Sequence, residues 1–221
     1  MEGYFVYSNI NVYYIVPENA DCVCYFHGTK EMAGKLAAKP FSSRVGLLAV
    51  SGEDWNRDLS PWAAPAVFRK GGDFSGGAGR HLSFLCEKVI PLTEEKLGLH
   101  VVRRGLMGYS LAGLFALYAM YQTDLFTDIA SVSGSLWYDG FIEYMVEREP
   151  LGKPHKVYLS LGLKEKNTKN VRMAEVEGCT EKAMDYLCSI GIDCVFEKNP
   201  GNHFFQEAER MQKALLWLYG K

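Results

Sequence analysis

Residues 108 to 113, GYSLAG, place a serine between a strand-like run and a long apolar run. A serine hydroxyl is a poor nucleophile at neutral pH. It becomes a useful one when a tight strand-to-helix turn projects it from the backbone and a neighbouring base takes its proton. That turn requires small residues two positions either side. Here they are Gly108 and Ala112, followed by Gly113, so the pattern is G-x-S-x-A-G rather than strict G-x-S-x-G. Ser110 is also the only serine of the chain with glycine two positions earlier.

A serine nucleophile needs a histidine, and the histidine a carboxylate, in the chain order Ser, acid, His when both follow later strands of one sheet. Of five histidines, only His203 follows the last strand the sequence predicts, in NPGNHFF, where it reads as a helix-start residue beside an Asn202 cap. His27 ends a strand and shapes its loop. His81, His100 and His155 read as helix-surface or loop residues. Glu165 follows the strand KVYLSLG and is the acid its position favours; Asp193 and Asp139 are the alternatives, and Lys164 and Lys166 allow a plain solvated turn at Glu165. A developing oxyanion needs two backbone donors. One is the N–H of Leu111 at the positive end of its helix; the second comes from the Gly28-Thr29 loop.

The elements that must position these groups can be read from the hydrophobic pattern. YFVYSN (4–9) and VYYIV (12–16) form a hairpin around asparagine. CVCYFH (22–27) and VGLLAV (45–50) are continuous apolar runs, as strands covered on both faces are, and EMAGKLAAK between them is helical. A helix over 80–89 ends or restarts at Pro91. VRRGLMGY then leads into a helix over 111–122, FTDIASVS (126–133) into a helix over 137–148, and KVYLSLG (156–162) into a helix over 169–190. IDCVFEK (192–198) precedes a closing amphipathic helix. This alternation predicts one α/β domain over 1–221, with a mostly parallel mixed sheet and helices on both faces. Residues 52–79, with two Trp and two Pro, read as a long loop at the carboxyl edge of the sheet, and the glycine cluster at 71–79 within it as a mobile flap over the site.

Composition removes other classes. A net charge of -2 provides no basic stripe for nucleic acid. The apolar run 111–121 is too short for a membrane span, and MEGYFVYSN has no secretory signal pattern. The six cysteines show no CxxC pair, so they read as reduced thiols of a cytoplasmic protein rather than metal ligands. The glycine cluster lacks the GK[ST] ending of a P-loop.

YFHGT, GYSLAG, SVSGSLW, LGLKE and GNHF, in this order, resemble the putative-esterase family of α/β-hydrolases. The resemblance extends from about residue 20 to the end. It implies a three-layer α/β-hydrolase fold and a triad of Ser110, Glu165 and His203 with glutamate where aspartate is common; the short sequence leaves little room for a separate lid domain. It also implies oxyanion donors at Leu111 and Thr29, and Trp137 lining the acyl or alcohol pocket, with Trp55, Trp62 and Tyr109 as further pocket candidates. The expected activity is hydrolysis of a small-molecule ester through an acyl-enzyme, without metal or organic cofactor and without a nucleic-acid or membrane partner. Thioester hydrolysis, acyl transfer and a catalytically inactive binding module are the alternatives.

Overall fold

Aromatic and β-branched residues on either side of Ser8-Asn9 pair as an antiparallel hairpin, β1 (Glu2–Tyr7) with β2 (Ile10–Ile15), and Ser8 takes the positive φ (57°) that the turn needs. The computed structural model describes residues 1–39, 41–67 and 71–220. Among these, β1 and β2 join β3 (Cys22–His27), β4 (Val45–Ser51), β7 (Arg103–Tyr109), β8 (Asp128–Val132), β9 (Lys156–Gly162) and β10 (Asp193–Asn199) in an eight-stranded sheet of order β1-β2-β4-β3-β7-β8-β9-β10. β2 meets β4 antiparallel, and from β4 to β10 every neighbour is parallel. After β3 the chain winds to one side and after β7 to the other. A crevice therefore opens at the carboxyl ends between them, where α/β sheets bind ligands.

Helices cover both faces, as the apolar strands require. α1 (Lys30–Ala37) and α9 (Glu207–Tyr219) pack on one face, where Leu36, Met211 and Leu215 meet Phe26, Leu47 and Met107. On the other lie α3 (Ala78–Phe84), α4 (Ile90–Leu97), α5 (Leu111–Ala119), α6 (Phe141–Val146) and α8 (Val176–Ser189). Every residue of α5 is buried, which explains an apolar run with no polar face.

Local outcomes differ from the sequence reading where a side chain or a tertiary bond overrides the pattern. Pro91 does stand where an α-helix restarts, in the first turn of α4, but without a break in the helical path. A π-helical turn over Leu85–Val89 joins α3 to α4 and absorbs the proline at the first turn of α4. The helix expected over 137–148 is confined to α6, and that over 169–190 is broken into α7 (Val171–Ala174) and α8. Segment 52–79 is not a bare loop. It carries α2 (Trp55–Asp58) and a two-stranded ribbon of β5 (Ala63–Ala64) and β6 (Phe74–Ser75); residues 68–70 of it lie outside those described. Asn170 Nδ2 donates to Val67 O (2.9 Å), Arg172 Nη1 to Pro65 O (2.8 Å) and Trp62 Nε1 to Asp139 O (2.9 Å), so the far side of the crevice ties this segment down.

Candidate active site

The turn after β7 is as tight as the sequence demands. Ser110 has φ 60° and ψ -122°, a backbone conformation that costs a non-glycine residue about 1–3 kcal/mol and persists only where its surroundings enforce it. The enforcement is steric: a Cβ at Gly108 would lie 2.0 Å from Ala112 O, so the helix can turn back onto the strand only over glycine. Ala112 itself is accommodated in the core at 1% exposure, which is why glycine is not needed two positions after the serine.

Strands β7, β8, β9 and β10 end side by side, and their following residues meet. Ser110 Oγ lies 3.0 Å from His203 Nε2, and His203 Nδ1 lies 2.7 Å from Glu165 Oε2. Burial pushes the Glu165 carboxyl up, but the hydrogen bond and charge of His203, the Gly162 N–H and the Ser133 hydroxyl outweigh it and hold the group below its ordinary value. An ionised carboxylate only accepts hydrogen bonds. Nδ1 therefore carries the imidazole hydrogen, and Nε2 is left to accept from the serine. The other carboxylate oxygen, Oε1, accepts from Gly162 N (2.5 Å), Ser133 Oγ (2.9 Å) and Arg210 Nη1 (2.8 Å).

The alternative acids lie elsewhere. Asp139 pairs with Arg172 (2.8 Å), and Asp193 begins β10 opposite Lys156, at the amino edge of the sheet. His100 and His155 precede β7 and β9 at that same edge. His81 is not a surface residue: it is 6% exposed, with its Nε2 2.9 Å from that of His27. Nor does His203 start a helix. α9 begins at Glu207, and His203 sits in the turn before it, where Asn202 Oδ1 accepts from Phe204 N.

Two cavities meet at Ser110 on either side of Trp137. One, of about 360 Å³, is lined by His203, Phe204, Lys164, Asn167 and Met173; the other, of about 170 Å³, by Leu111, Trp55, Phe74 and Val67. Trp137 and Trp55 thus border the serine. Trp62 does not: it packs with Tyr138, Phe141 and Tyr144. Tyr109 lies behind the histidine, donating from its hydroxyl to His203 O (2.5 Å). The Leu111 N–H opens the first turn of α5, where backbone N–H groups lack helical partners. Thr29 caps α1 through its hydroxyl, accepting from Met32 N, and among the described residues lines neither cavity. Among the described residues, no three His, Cys, Asp or Glu side chains are placed to hold a metal ion.

Ser133, Ser135 and Arg210 also belong to this cluster, and sequence reasoning passed over them as site residues. Ser133 (φ 48°) has a signal in SVSGSLW, a serine-glycine turn beyond a strand. Arg210 has none, because arginine in an amphipathic helix reads as solvent-facing.

The fold and sequence have relatives. The chain is 30% identical over 191 residues to the uncharacterized protein YbbA of Bacillus subtilis (strain 168), covering 79% of this chain and 73% of that protein. An IroE-like serine hydrolase from Shewanella oneidensis superposes with a TM-score of 0.78 at 18% identity, over 95% of this chain and 75% of the other. Siderophore hydrolase EstA from Aspergillus nidulans does so with 0.75 at 18%, over 99% and 93%. A family model described as Putative esterase matches residues 4–208, the family that the motif order resembles, and the chain belongs to it.

Proposed function

We propose that the protein is a serine carboxylic ester hydrolase acting through Ser110, His203 and Glu165. The observation that carries this reading is the unbroken chain from Ser110 Oγ to His203 Nε2 (3.0 Å) and from His203 Nδ1 to Glu165 Oε2 (2.7 Å), starting at a serine held in a strained turn. His203 takes the serine proton as Oγ attacks the ester carbonyl carbon, and Glu165 stabilises the imidazolium that forms. The oxyanion is received by the Leu111 N–H, reinforced by the positive end of α5, with the Thr29 N–H as second donor; losing one such donor costs about 10²–10³ in rate. The imidazolium then protonates the departing alcohol. Water, deprotonated by the same nitrogen, attacks the acyl-enzyme, and the carboxylic acid leaves as Ser110 recovers its proton.

The departing oxygen must come within reach of His203 Nε2, so the cavity lined by His203, Lys164 and Asn167 takes the alcohol portion. The smaller, aromatic-walled cavity beside Leu111 takes the acyl portion. The likeness in fold to siderophore hydrolase EstA makes a siderophore ester the first natural substrate to assay. The decisive test is fluorophosphonate labelling followed by peptide mapping. The modification is expected on Ser110 and is expected to vanish in Ser110→Ala together with hydrolysis of a short-chain nitrophenyl ester. Wild-type protein that neither labels nor hydrolyses would instead be a binding module.

A further inference from the structure

Arg210 is 1% exposed on α9, and its guanidinium touches the ends of all four strands that build the site. Nη1 donates to Glu165 Oε1 (2.8 Å) and Ser133 Oγ (2.8 Å) and reaches the Tyr109 hydroxyl at 3.3 Å. Nη2 donates to Pro200 O and Asn202 O, each at 2.8 Å, in the turn that carries His203. The backbone makes room for it: a Cβ at Gly162 would lie 2.5 Å from Nη2. A buried arginine side chain costs desolvation, and a surface lysine or a neutral residue would seal this end of α9 more cheaply. Its five acceptors all belong to, or adjoin, residues of the triad.

We infer that Arg210 is a positioning residue of the reaction: it holds Glu165 and the His203 turn in register, and it places a fixed cation against the carboxylate on which His203 depends. This rests on the triad reading above. The carboxylate alone would favour protonation of the pair it forms with His203; a fixed cation on its far oxygen opposes it. The sign does not depend on which member holds the proton, because a strongly coupled pair titrates as a unit.

The charges facing the pair come from several elements. Lys164 beyond β9 lines the same cavity as His203, and Glu207 of α9 acts on Tyr109. Tyr109, pushed up to about 12 mainly by burial, stays neutral through the titration. Replacing Arg210 leaves Lys164 and Glu207 in place and moves Tyr109 only further up, because the guanidinium lowers it.

The experiment is the pH profile of kcat/KM, whose acid limb reports the free enzyme. Arg210→Met is expected to move that limb up by about 1 pH unit or more, and to lower kcat about 10–100-fold with KM within about threefold. Arg210→Lys, which keeps the charge but not the fork, is expected to return the limb to its wild-type place while kcat recovers only in part. A purely structural role moves stability and leaves the limb where it was. A folded Arg210→Met with an unmoved limb overturns the electrostatic part, and an Arg210→Lys with full kcat overturns the positioning part. If Arg210→Met does not fold, the charge-balanced pair Glu165→Gln/Arg210→Met carries the test. Its limb is expected about 1 unit above that of Glu165→Gln alone, and equal limbs overturn the inference. Wild-type protein that fails to label at Ser110 defeats the triad reading itself, a different outcome from any of these.

Discussion

His203 and His27 both stand at the carboxyl edge of the sheet, one after β10 and the other at the end of β3, and their neighbours assign them opposite chemistry. The His203 side chain is 25% exposed, with an ionised carboxylate on Nδ1 and a serine on Nε2. His27 is 3% exposed and faces a second imidazole, His81, with Phe115 packed edge-on against its ring. Burial, and then the neighbouring His81, push His27 well below the ordinary histidine range; burial takes His81 down to about 4. At neutral pH both are uncharged, and one N–H is shared between the two Nε2 atoms. The pair ties α3 to the end of β3. What sets the two histidines apart is the partner on each ring nitrogen and the cavity that opens beside His203, not the residue type.

The largest effect should come from breaking the first site while sparing the second. Ser110→Ala and His203→Gln are expected to lower kcat/KM by about 10³-fold or more, whereas His27→Gln, in folded protein, should stay within about tenfold. Steady-state kinetics on a nitrophenyl ester decide this, and equal losses for the two histidines would erase the distinction. Next comes Glu165→Gln, expected to cost about 10²–10⁴ in kcat with KM little changed, since the imidazole loses its orienting acceptor.

Acid stability sharpens the contrast from the other side. His81 has a folded value below its unfolded one, so the unfolded chain binds more protons between about 6.5 and 4. Stability is therefore lost as pH falls through that window, by up to roughly 3 kcal/mol for this group. Urea unfolding at several pH values should show the slope, and His81→Gln should flatten it. Glu165, also held low, contributes stability that is present above its unfolded value near 4.5 and lost only as pH falls below that. The smallest effect belongs to the tie across the crevice. Arg172→Ala releases Pro65 O and Asp139 and should raise KM about three- to tenfold with kcat nearly unchanged. A kcat collapse there would move Arg172 into the reacting centre.

The sheet was legible because its strands are continuous apolar runs and the helices between them are strongly patterned. The serine, acid and histidine were legible because each follows a strand, in an order that the topology brings to one edge. Arg210 and His81 were not. A charged or polar residue in an amphipathic helix is buried only when acceptors from distant segments converge on it, and nothing near it in sequence encodes that. At Pro91 the pattern showed where the helix restarts, but not the π-helical turn over Leu85–Val89 that keeps α3 and α4 joined. Trp62, Trp55 and Trp137 look alike in sequence, yet the first packs against Tyr138 and Tyr144 while the other two border Ser110.

By itself, the sequence determined the chain order of the eight strands of the main sheet, the tight turn over Gly108, and which acid and histidine could reach its serine. Those are consequences of local sterics, hydrophobic period and chain order. Only the tertiary structure decided the surroundings and aim of those groups: that Glu165 lies between His203 and a buried guanidinium, that burial keeps His27 and His81 uncharged, and which tryptophans wall the cavities. These depend on distances between segments far apart in the chain, where burial and charge act together.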